Sequence, residues 1–141
     1  MIIPSYFQDK INDLNYKLPD SYYKAIELGL TNLDGWQFIL NEKVFRSLFD
    51  KIYEDVSCLF LPFARRNDCD DVACFVISCS ILPINSIIII HLDYSTKIYN
   101  PSPTITYGPS LTQIPYGGKP DFDTFWDWFL DAIEEIIERY P

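Results

Sequence analysis

The chain has 141 residues, the size of one ordinary domain, and at 48% hydrophobic and 16% aromatic it is far too apolar for disorder. With 11 basic against 20 acidic residues the formal net charge is −9, a sign that repels nucleic-acid phosphates and anionic membranes and attracts cationic partners. No nucleic acid and no membrane is therefore expected among its ligands.

A short helix is expected around Tyr6 to Leu14. Leu18, Tyr22, Ala25, Ile26 and Leu28 then recur at helical spacing, with Pro19 in the first turn and Gly29 closing the end. Asn32 to Gly35 is a turn, and Trp36 to Leu40 reads as a short strand. Asn41 caps an amphipathic helix, Glu42 to Val56, whose apolar stripe runs through Val44, Phe45, Leu48, Phe49, Ile52, Tyr53 and Val56. Strands follow at Cys58 to Phe63, Val72 to Ser80 and Ser86 to Leu92, with a polar loop from Ala64 to Asp71 and a hairpin turn at Leu82 to Asn85. Ile87 to Ile90 is apolar on both faces and is expected to be a central strand. Residues 93–120 read as a long loop with an edge strand around Thr104 to Tyr107.

The last element is a helix from Asp121 to Tyr140, with Asp121 or Asp123 as cap. Its stripe takes in Phe122, Phe125, Trp126, Phe129, Ala132, Ile133, Ile136, Ile137 and Tyr140, which leaves Trp128 as the exposed tryptophan. Asp127, Asp131, Glu134, Glu135 and Glu138 make the other face acidic. The order predicts an α+β fold: one domain, with an antiparallel β-sheet flanked by N-terminal, central and C-terminal helices.

Cys58, Cys69, Cys74 and Cys79 contain no CxxC pair, and the single histidine, His91, is not spaced with them as a zinc ligand would be. Met1 to Phe7 has neither a basic stretch nor a long apolar run, so a cytoplasmic location and reduced, core-packed thiols are expected. No metal or other cofactor is expected. Nothing resembles a nucleophile elbow, a P-loop or a dinucleotide fingerprint, and His91 ends an apolar strand, where a lone histidine is ordinarily structural. No enzymatic activity is expected. The acidic loop Asn67-Asp68-Cys69-Asp70-Asp71 lacks the glycine and terminal glutamate of an EF-hand. It is either a turn whose aspartates pair with Arg65 and Arg66, or a binding loop.

Several motifs in order resemble the SUKH superfamily, which includes yeast cell-wall-assembly regulators and many bacterial relatives. They are Leu18-Pro19-x-x-Tyr22, Gly35-Trp36, Leu61-Pro62-Phe63-Ala64, Asp68-x-Asp70-Asp71-x-x-Cys74-Phe75 and Phe125-x-x-Trp128-Phe129. The resemblance implies an α+β fold and, for bacterial members, an immunity protein that binds and neutralises a secreted polymorphic toxin. A nuclease toxin with a basic groove would suit an acidic inhibitor. The alternative it implies is a regulatory or scaffolding module without a toxin partner. The stretch Lys97 to Lys119 is longer and richer in proline and tyrosine than the family's hairpin, as a partner-specific insertion would be. A cationic toxin domain is the expected partner, with contacts at Asp68, Asp70, Asp71, Trp36, Tyr99, Tyr107 and Tyr116.

Overall fold

A computed structural model describes residues 3–55, 58–92 and 119–140. In chain order its elements are α1 (Ser5–Asp13), α2 (Asp20–Glu27), β1 (Asn32–Leu33), β2 (Trp36–Phe38), α3 (Glu42–Asp55), β3 (Leu59–Arg66), β4 (Asp71–Ser78), β5 (Ile87–His91) and α4 (Phe125–Arg139). The five strands form one sheet in the order β1-β2-β3-β4-β5, every pair antiparallel. The α+β class and the antiparallel sheet are as the sequence predicts.

Local chemistry explains several of the element boundaries. Pro19 precedes α2 in an extended conformation, and at the other end Gly29 takes φ 74°. Gly29 N–H then donates to Ile26 O and Leu30 N–H to Ala25 O, both at 2.9 Å, the bond pair of a Schellman stop. Asn41 accepts Val44 N–H at 3.1 Å through its side chain and so caps α3. For α4 the cap is Thr124, whose hydroxyl accepts Asp127 N–H, rather than Asp121 or Asp123. Pro62 lies inside β3, and the register shifts between Pro62 and Ala64, a bulge where its missing N–H is tolerated.

β4 is buried from Val72 to Ile77, so both faces of the sheet are covered. On one face Tyr22 of α2 and Phe125 and Trp128 of α4 close over Phe38, Phe63 and Phe75, with ring centroids 4.3–6.1 Å apart. Strand alternation turns Val72 to the other side, where it lines a small cavity with Leu48 of α3. α3 packs on β3, α1 on α3, and Phe7 of α1 bridges Phe45 to Tyr22.

Three expectations need correction. Ala64 to Arg66 are strand, not loop, because they pair with Phe38, Gln37 and Trp36 of β2, a partner remote in sequence. β5 is the last strand among the described residues, not a central one. Its apolar run fits two covered faces, and among the described residues β4 is its one neighbouring strand. Phe122 exchanges two backbone hydrogen bonds with Ile87 (2.8 and 3.1 Å) and the Asp121 carboxylate accepts Ile89 N–H at 2.6 Å, which blunts that edge. Lastly, Cys58 and Cys79 are joined in a disulfide, with Cα atoms 4.5 Å apart, while Cys69 is free and exposed and Cys74 free and buried. The two bonded cysteines extend the β3–β4 ladder by one step beyond the Leu59–Ser78 pair, where facing Cα atoms approach to about this distance. The expectation of reduced thiols rests on the N-terminal residues and the apolar runs around the cysteines, neither of which carries this register. The predicted loop at 93–120, with its Thr104 to Tyr107 strand, lies almost wholly outside the described residues.

Candidate protein-binding surface

Among the described residues, those singled out in the sequence do not converge on one surface. Trp36 is 6% exposed, so it is not a contact residue. It lies against Trp128, with ring centroids 5.6 Å apart, and beneath the Arg66 guanidinium at 5.2 Å. Its burial follows from its place on the covered face of β2, whose pattern is buried, exposed, buried. Tyr99, Tyr107 and Tyr116 lie outside the described residues.

Two of the three aspartates in the 68–71 loop are engaged by neighbours. Arg66 holds Asp68 with two bonds, 2.7 and 3.0 Å, and this first of all draws the Asp68 carboxyl down to about 2. Asp71 stands directly across from His91 in the β4–β5 register, with Oδ1 2.5 Å from Nδ1. Asp70 lines a cavity of about 60 Å³ with Arg65, Cys69 and Leu92, and its backbone carbonyl accepts Leu92 N–H. The loop is thus built as a turn with local pairs, one of its two readings. Among the described residues no group of three histidine, cysteine or acidic side chains is placed to hold a metal ion.

Arg66 reaches further. Its guanidinium donates to both oxygens of Glu135 on α4 at 2.6 and 2.9 Å, and hydrogen bonding to Arg66 is the first cause that lowers the Glu135 carboxyl. Arg139 bonds Asp34 at 3.0 Å, and Asn67 donates to the Asp34 carbonyl. A Cβ at Gly35 would sit 2.7 Å from Glu135 Oε1, so a larger residue here would push that carboxylate aside. This clasp anchors one flank of α4 to the β1–β2 turn and fits the rotation that the buried contacts of Phe125 and Trp128 set.

That rotation decides what α4 shows to solvent. Phe125, Trp128, Phe129 and Ala132 are buried, while Trp126, Leu130 and Ile137 are 51%, 45% and 62% exposed. The two tryptophans are therefore the reverse of expectation. On a 3.6-residue turn, 126, 130, 133 and 137 fall within about 60° of one another. Asp127, Asp131, Glu134 and Glu138 form a second row beside them at i, i+4, i+7 and i+11. Among the described residues none of these four is paired with a cation. The sequence pattern reveals the acidic row but merges the apolar stripe with the core. The available signal was an apolar arc wider than one helix face can bury. No protein-family model, curated protein or solved structure matches the chain.

Proposed function

We propose that the chain is a non-enzymatic protein-binding domain, an immunity protein of the SUKH kind that neutralises a cationic toxin domain. The observation that carries this is the acidic row of α4. Like charges at i,i+4 and i,i+3 each destabilise a helix by about 0.2–0.5 kcal/mol, and Asp127, Asp131, Glu134 and Glu138 have no compensating cation among the described residues. In a chain of net charge −9 such a row favours a basic partner. The sequence resemblance supplies the biological setting. A cytoplasmic site of action goes with this reading, and the Cys58–Cys79 bond weighs against it, since disulfides persist in oxidising compartments.

The test is co-expression with the product of the adjacent gene. The expected result is a stable complex that abolishes that product's toxicity, with Asp131→Lys plus Glu134→Lys slowing association about tenfold or more at low salt. The absence of any complex overturns the proposal, as does a turnover lost in His91→Ala.

A further inference from the structure

Taking the protein-binding reading as given, we propose that the outward stripe of α4 seats an amphipathic helix of the partner. That helix carries apolar residues on its inner face and lysines or arginines along the flank that meets the acidic row. Trp126, Leu130 and Ile137 are exposed beside half-buried Ile133, so the stripe continues the apolar face of α4 past what the sheet covers. Trp126 is an ordered anchor: its ring stacks on Phe129 at 5.5 Å with 15° between planes, leaving the opposite face open. A pre-ordered tryptophan loses little rotamer freedom on binding, which is one reason hot spots favour it.

Spacing argues for a helical occupant. α4 has 15 residues and runs about 22 Å. Its ridge repeats with the helical turn of about 5.4 Å, which a second helix matches along its whole length by ridge-into-groove packing. Same-face residues of an extended strand repeat at about 6.6 Å and fall out of step within two contacts. Charge selects the chemistry of the flank. Covering the stripe partly desolvates Asp127, Asp131, Glu134 and Glu138, which a neutral helix leaves unpaired and a basic flank satisfies. A second copy of this chain is disfavoured for the same reason. Two-fold antiparallel pairing of α4 with itself puts both acidic rows on one side of the contact.

The experiment uses the full chain and two synthetic helical peptides of identical composition. In one, leucines fall at i, i+4, i+7 and i+11 with four lysines along one flank; in the other, the lysines are scattered around the helix. Acrylamide quenching of tryptophan fluorescence reports on Trp126, because Trp36 and Trp128 are buried. The expected result is that the patterned peptide binds at least about tenfold more tightly than its isomer and shields Trp126. Leu130→Asp and Ile137→Asp, both at exposed positions, each weaken it about tenfold with the melting temperature within a few degrees of wild type. Equal binding of the two peptides overturns the proposal, as does indifference to both substitutions. So does a Trp126 already shielded in the isolated chain, with sedimentation identifying a second copy as the cause. The two readings fail separately. A chain that binds the patterned peptide but not the adjacent gene's product loses only the proposed function. One that captures that product with Leu130→Asp and Ile137→Asp as tightly as wild type loses only this inference.

Discussion

Trp128 is 1% exposed and meets Trp36, Phe38, Phe63 and Phe125 at centroid distances of 4.9–6.0 Å. Trp126 stacks along Phe129 with half its surface in solvent. The same residue type therefore has opposite energetic weight two positions apart. Trp128→Ala removes a fully packed indole and is expected to cost about 3–5 kcal/mol in urea unfolding. Trp126→Ala is expected to stay within about 1 kcal/mol. A comparable loss in both variants would contradict the orientation of α4. Asp68 makes a similar point for charge. It was expected at a partner interface, but Arg66 grips it in a bidentate pair, so its carboxylate serves the turn first.

At the level of elements, the sheet is secured at two places by chemistry that periodicity does not announce. Asp121 and Phe122 cover the β5 edge, and the disulfide locks the start of β3 to the residue that follows β4. Bonding residues separated by 21 positions restricts the unfolded chain, and the loop-entropy model puts the stabilisation at about 3 kcal/mol. Cys58→Ser with Cys79→Ser is expected to lose roughly that amount, read from denaturation midpoints at unchanged slope. Without reductant, Cys69 should be alkylated in the folded protein and buried Cys74 only after unfolding. Four alkylated thiols in unreduced, unfolded protein would show that the bond is not formed.

Across the whole molecule, the clasp of Asp34, Arg66, Asp68, Glu135 and Arg139 ties the β1–β2 turn and the end of β3 to the C-terminal helix. Two of its carboxylates titrate below their ordinary values, Glu135 lowered and Asp68 at about 2, both chiefly through hydrogen bonds from Arg66. A depressed carboxylate stabilises the fold above its unfolded-state value and loses that contribution as pH falls through the folded value. The clasp therefore contributes fully at neutral pH and fades from about pH 4 down to about pH 2. Arg66→Met, which removes the Glu135 pair and the cover over Trp36, is expected to cost about 1–2 kcal/mol at pH 7. Most of the gap to wild type should close near pH 2. A gap that stays constant with pH would mean the loss is packing alone. The helical part of the architecture has no membrane-crossing candidate, since among the described residues no helix is long and apolar enough.

The features legible from the order of residues are local. Gly29 ends α2, Asn41 caps α3, the stripe through Phe45, Leu48, Phe49 and Ile52 is buried, and the helix–strand order yields an α+β fold with an antiparallel sheet. Each of these depends on residues within a few positions of one another, where backbone preference and 3.6-residue periodicity act directly. The acidic row of α4 was legible for the same reason. The remaining features depend on partners far apart in the chain. Ala64 to Arg66 became strand when β2 supplied its open edge. Cys58 met Cys79 through the β3–β4 register. The rotation of α4 follows from the sheet face it meets, where Trp36, Phe38 and Phe63 receive Trp128 and leave Trp126, Leu130 and Ile137 outside, with Arg66 and Asp34 clasping its flank in that setting. A helix with more apolar arc than one face can bury leaves its rotation undetermined in sequence, because both choices bury a tryptophan and the receiving face is built from strands far away in the chain.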